Sequence, residues 1–84
     1  MFVEVTYICQ TYAETPVQGG KVLVRDKEFQ FKTSREAEGR AQRAFEAGQC
    51  VGADAYSVMF DPETEELSDP VFLARFGKVP SVEE

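Results

Sequence analysis

Eighty-four residues hold one hydrophobic core and not two, and 43% apolar with 12% aromatic residues exclude intrinsic disorder. Nine Lys and Arg against fifteen Asp and Glu give a net charge of −6, which repels phosphate backbones and argues against nucleic-acid binding. No run approaches the roughly 18 apolar residues of a membrane span, and the absence of His removes the imidazole base and metal ligand.

The opening Met1-Phe2-Val3-Glu4 has no basic stretch before an apolar run, so neither signal peptide nor membrane anchor is expected. Residues 2–12 are rich in β-branched and aromatic side chains and contain no Gly or Pro, which predicts a strand. Alternation puts Val3, Val5, Tyr7 and Cys9 on one face and Phe2, Glu4, Thr6, Ile8, Gln10 and Tyr12 on the other. Residues 15–20, Thr-Pro-Val-Gln-Gly-Gly, predict a turn. Gly19-Gly20-Lys21 lacks both the upstream Gly and the following hydroxyl residue of a phosphate loop, so a simple hairpin is expected. In the returning strand, residues 21–32, Val22 and Val24 have one parity and Phe29 and Phe31 the other. A regular strand cannot turn both pairs the same way, so a bulge or kink is expected near residues 25–27.

Thr33 and Glu36 have the spacing of a capping box, and residues 34–49 are expected to be helical. Ala37, Ala41, Ala44, Phe45 and Gly48 share one face, small enough to lie close to a sheet. Elsewhere on the helix Glu36 precedes Arg40 by four residues and Glu46 follows Arg43 by three, which predicts a charge-balanced, solvated surface. Gly52 is the expected left-handed exit residue. Residues 53–60 predict a third strand, the run from Asp61 to Glu66 a turn, and residues 70–76 a fourth strand stopped by Gly77 and Pro80. The order ββαββ predicts an α+β fold, a mostly antiparallel four-stranded sheet with one helix on one face. Residues 1–80 form this single domain, and 81–84 an acidic frayed tail.

Residues 1–46 carry seven acids and seven bases, whereas residues 47–84 carry eight acids against Arg75 and Lys78 alone. The cluster Asp61, Glu63, Glu65, Glu66 and Asp69 lacks the Gly and the terminal Glu of a calcium loop, so no metal is expected. Cys9 and Cys50 have neither a His partner nor Cys-x-x-Cys spacing, so both are expected to be buried thiols of a reducing, cytoplasmic setting. No cofactor and no enzymatic activity are expected.

Phe31-Lys32-Thr33 entering an Ala-rich helix, Ala55-Tyr56-Ser57, Asp61-Pro62-Glu63-Thr64 and residues 69–80, Asp-Pro-Val-Phe-Leu-Ala-Arg-Phe-Gly-Lys-Val-Pro, resemble a group of short bacterial proteins of unknown function. The resemblance covers most of residues 29–80 and implies a small bacterial cytoplasmic protein, with no activity or ligand to carry over. Members usually have Gly where this chain has Glu65, which predicts a different turn geometry here.

Two functions follow as expectations. One is a non-enzymatic interaction module, a homodimer or an accessory subunit, meeting its partner through an edge strand or the sheet face bearing Phe2, Ile8 and Tyr12. The other is an acidic regulator that docks Asp61, Glu63, Glu65, Glu66 and Asp69 on a basic protein surface.

Overall fold

The computed structural model describes residues 3–81. It is α+β in the expected ββαββ order, with one short strand added: β1 Glu4–Val17, β2 Gly20–Phe31, α1 Ser34–Glu46, β3 Gly52–Asp61, β4 Glu66–Leu67 and β5 Val71–Gly77. Every pairing is antiparallel. The sheet runs β2-β1-β3-β4, and β5 also pairs with β3, next to β4 along the same strand. β1 therefore lies inside the sheet, between β2 and β3, and α1 carries the chain across it.

β1 continues five residues past the expected Tyr12, and the hairpin turn shrinks to Gln18 and Gly19, with Gly19 at φ 89°. Pro16 is tolerated inside β1 because β3 reaches only as far as Tyr12, so no third strand needs its missing N–H. The expected bulge is present. Tyr12 opposes Arg25 and Gln10 opposes Glu28, so Asp26 and Lys27 together face Thr11. Thr11 holds them in place: its hydroxyl accepts from Lys27 N–H at 3.0 Å, and the Gln10 amide donates to Lys27 C=O at 2.9 Å. The extra residue turns Val22, Val24, Phe29 and Phe31 to the same face.

Thr33 caps α1, accepting from Glu36 N–H at 3.2 Å. The return half differs from a full capping box, because the Glu36 carboxylate accepts a hydrogen bond from the Thr33 hydroxyl, at 2.9 Å, rather than from a backbone amide. The helix stops three residues early. Gly48, expected on the helix face, is the left-handed exit at φ 72°, and Gly52 sits inside β3. Ala37, Ala41 and Ala44 are buried as expected, Ala37 and Ala41 against Cys9, Ala53 and Ala55, and small residues on both sides bring helix and sheet close. Phe45 at the helix end stacks on Phe76, with ring centroids 6.2 Å apart.

The helical ion pairs Glu36–Arg40 and Arg43–Glu46 do not form. Arg40 instead lies over the Phe29 ring, 4.2 Å from its centroid, and Gln42 takes the Glu46 carboxylate at 3.2 Å. Among the described residues the two ion pairs are Arg75–Asp54 and Lys78–Glu14.

Candidate interaction surface

The middle of the face away from α1 is built from three rows that span four strands: Gln30-Ile8-Tyr56-Phe72, Glu28-Gln10-Asp54-Arg75, and Arg25-Tyr12-Gly52-Gly77. Gly52 leaves a gap beside Tyr12, and the backbone after β5 fills it, since a Cβ on Gly52 would collide with Lys78 C=O. Lys78 N–H donates to Val51 C=O at 2.9 Å, and Arg75 donates to Pro80 C=O at 2.6 Å, so residues 78–80 form a strap across this face. Lys78 Nζ, 3.2 Å from Glu14 Oε2, fastens the strap to β1.

Beneath it Asp54 accepts three hydrogen bonds, from Arg75 Nε at 2.7 Å, an Arg75 terminal nitrogen at 3.0 Å, and the Tyr12 hydroxyl at 3.1 Å. Arg75 also stacks on Phe72, 4.2 Å from the ring centroid. Burial, with the Asp54 charge and the hydrogen bond it accepts, pushes the Tyr12 phenol up to about 12. The bonds to Asp54 raise the already high pKa of Arg75. With its oxygens occupied and its charge matched, this cluster is suited to holding strands together rather than to moving protons.

The sequence reading places Ile8 and Tyr12 on the correct face but anticipates neither the strap nor their burial. They are 8% and 6% exposed, shielded by Tyr56, Phe72, Arg75 and the strap, and belong to the interior rather than to a docking surface. Phe2 lies outside the described residues. Sequence reasoning missed Asp54 and Arg75 altogether. Their signals were an acid between two alanines in a strand and a lone arginine in an apolar one.

Of the two thiols only Cys9 is fully buried, and desolvation pushes it up to about 11 against the pull of Arg40; Cys50 is half-buried. Cys9 is therefore a neutral thiol at physiological pH and a poor nucleophile.

The acidic loop is a surface turn. The Asp61 carboxylate accepts from Glu63 N–H at 2.9 Å, Asp61 C=O from Glu65 N–H at 2.7 Å, and Ser68 closes the base by accepting from Met59 N–H at 2.9 Å. Glu65 has φ 59°, a left-handed conformation in which Gly is at ease and Glu is strained. Asp61, Glu66 and Asp69 border an open depression of about 580 Å³ together with Val3, Met59 and Leu67, while Glu63 and Glu65 are exposed and do not line it. Among the described residues no three acidic or thiol side chains converge as metal ligands, and no helix is long and apolar enough to cross a membrane.

β2 is different in kind. Among the described residues only β1 pairs with it, so one side of a strand twelve residues long is unpaired there, and Val22 and Val24 are 45% and 37% exposed. No family model, curated protein or solved structure matches this chain.

Proposed function

We propose that this chain is a non-enzymatic protein-interaction module of the bacterial cytoplasm, whose β2 edge receives a strand from its partner. The observation that carries this reading is the length and exposure of that edge. A row of unpaired backbone N–H and C=O groups is a ready template for strand addition, and the exposed valines beside it supply apolar contact. The saturated Tyr12–Asp54–Arg75 cluster and the neutral Cys9 support a binding role over a catalytic one. The cysteine usage and the resemblance noted above support the cytoplasmic setting.

The test replaces Val22 and Val24 by Lys, which leaves the buried core intact and guards the edge with charge. Solution mass and capture of proteins from bacterial lysate are then compared between wild type and V22K/V24K. Assembly or capture lost only in the variant supports the reading, and equal behaviour of the two proteins overturns it.

A second reading rests on the depression beside the acidic turn, where three carboxylates ring exposed Val3, Met59 and Leu67. That arrangement suits a basic segment with an apolar anchor. Binding would fall steeply with salt and with neutralisation of Asp61, Glu66 and Asp69. Binding indifferent to both would remove this reading.

A further inference from the structure

Resting on the strand-addition reading above, we infer that the strand β2 receives is β2 of a second copy, with Arg25 opposite Glu28 of that copy. Charges and a bulge ordinarily guard a sheet edge by repelling or misaligning an incoming strand. Here the order of the signs reverses that effect. Arg25-Asp26-Lys27-Glu28 read against itself antiparallel sets Arg25 against Glu28, Asp26 against Lys27, and the same pairs again across the two-fold axis.

The bulge makes this register possible. In a two-fold antiparallel pair, opposed residues must point to one face of the sheet. In a regular strand, residues 25 and 28 point to opposite faces, but the extra residue at Asp26 and Lys27 brings Arg25, opposite Tyr12, and Glu28, opposite Gln10, to the same side. The same register sets Val24 against Phe29 and Val22 against Phe31, all on the helix side, and Leu23 against Gln30 on the other. Backbone direction agrees as well. Leu23, Arg25, Glu28 and Gln30 oppose Glu14, Tyr12, Gln10 and Ile8, which are alternate residues of β1, so all four turn their N–H and C=O groups the same way and pair like with like. Lys21 would face Lys32 just past the end of the ladder, where both side chains reach solvent.

This pairing also answers the exposure of the hairpin tip. Phe29 and Phe31 pack against the core that α1 covers. Placing Val22 and Val24 beside the second copy's Phe31 and Phe29 brings each bare tip next to the other copy's helix-covered region, and the two sheets become one.

The experiment measures absolute mass by light scattering across a hundredfold concentration range for wild type, Arg25→Glu, Glu28→Arg, the double swap R25E/E28R, and an equimolar mixture of the two single variants. Both positions are exposed, and a thermal melt of each variant checks that it folds. Wild type should dimerise. Each single reversal replaces two attractive cross-strand pairs by two repulsive ones and should raise the dimer dissociation constant about tenfold or more. The double swap should restore the dimer, and the mixture should form a heterodimer, visible by native mass spectrometry, in preference to either homodimer. A wild type that stays monomeric throughout overturns the second copy as partner, and the edge reading then stands or falls on V22K/V24K alone. A dimer indifferent to both reversals, or without preference in the mixture, overturns the register.

Discussion

Asp54 and Arg75 do not share their burial equally. The Asp54 side chain is fully buried, whereas that of Arg75 is 26% exposed, so the two truncations should differ. Arg75→Ala strands a carboxylate away from water and should destabilise by about 3–5 kcal/mol. Asp54→Asn leaves a guanidinium that can turn to solvent and a neutral amide that still meets Tyr12, and should cost about 1–3 kcal/mol. Urea unfolding of both variants checks the order; equal losses would mean that Arg75 acts mainly through Phe72 and Pro80. Tyr12 gives a pH dependence of definite sign. Its phenol is held neutral in the folded chain up to about 12, against an ordinary value of 10, so the stability this provides is complete below pH 10 and is lost as pH rises toward 12. Cys9 acts in the same direction between pH 9 and about 11. Stability should therefore decline on the alkaline side from about pH 9, and Tyr12→Phe should flatten the upper part of that decline in a pH series of thermal melts.

Elements with a local cause could be read from the sequence. The cap at Thr33, the alanine face of α1, the turn at Asp61 and the bulge each follow from a few neighbouring residues, and the bulge came from parity alone. Strand order and the strap could not be read, because both depend on pairings between distant residues, such as Gly52 with Lys78, which no local pattern encodes. The same limit hid the candidate surface in part. Val22 and Val24 are exposed because α1, about 20 Å long at 1.5 Å per residue, lies over a sheet whose longest strand, β1, runs about 46 Å, and the edge beside them is open because β2 ends the sheet, which neither length reveals. Ile8 and Tyr12 looked like surface for the same reason, since their cover comes from the far end of the chain. At the acidic turn the local conformation itself makes a prediction. Glu65 holds a left-handed φ of 59°, so Glu65→Gly should stabilise by about 1 kcal/mol, raising Tm by roughly 4–8 °C for a chain of this size. Calorimetry checks it, and a lower Tm would mean that the Glu65 side chain contributes more than its backbone strain removes.

The molecule is long for its size, 49 × 26 × 20 Å, with its helix over the middle and its strap over the opposite face. The strap is short, yet it seals the one buried ion pair and two of the three cross-strand rows. A chain ended at Gly77 should keep its sheet but open Tyr12 to water, and absorbance titration should show that phenol ionising closer to 10 than in the full chain. An unchanged titration would show that the curl of the sheet alone excludes water there. The same truncation removes the Arg75–Pro80 hydrogen bond and the Lys78–Glu14 pair, so the shortened chain should be less stable at neutral pH.

The position of β1 also governs how the chain can be made. This strand is synthesised before both its neighbours, yet it is an interior strand whose second neighbour, β3, follows more than thirty residues later, and whose seal, residues 78–80, comes later still. A nascent chain therefore carries an open hairpin with two unpaired edges, and Asp54 must wait for Arg75 before its charge is matched. Pairings between distant residues therefore have to form before the sheet closes, and the interval before they do is when the strand edges are most open to chaperones or to wrong partners.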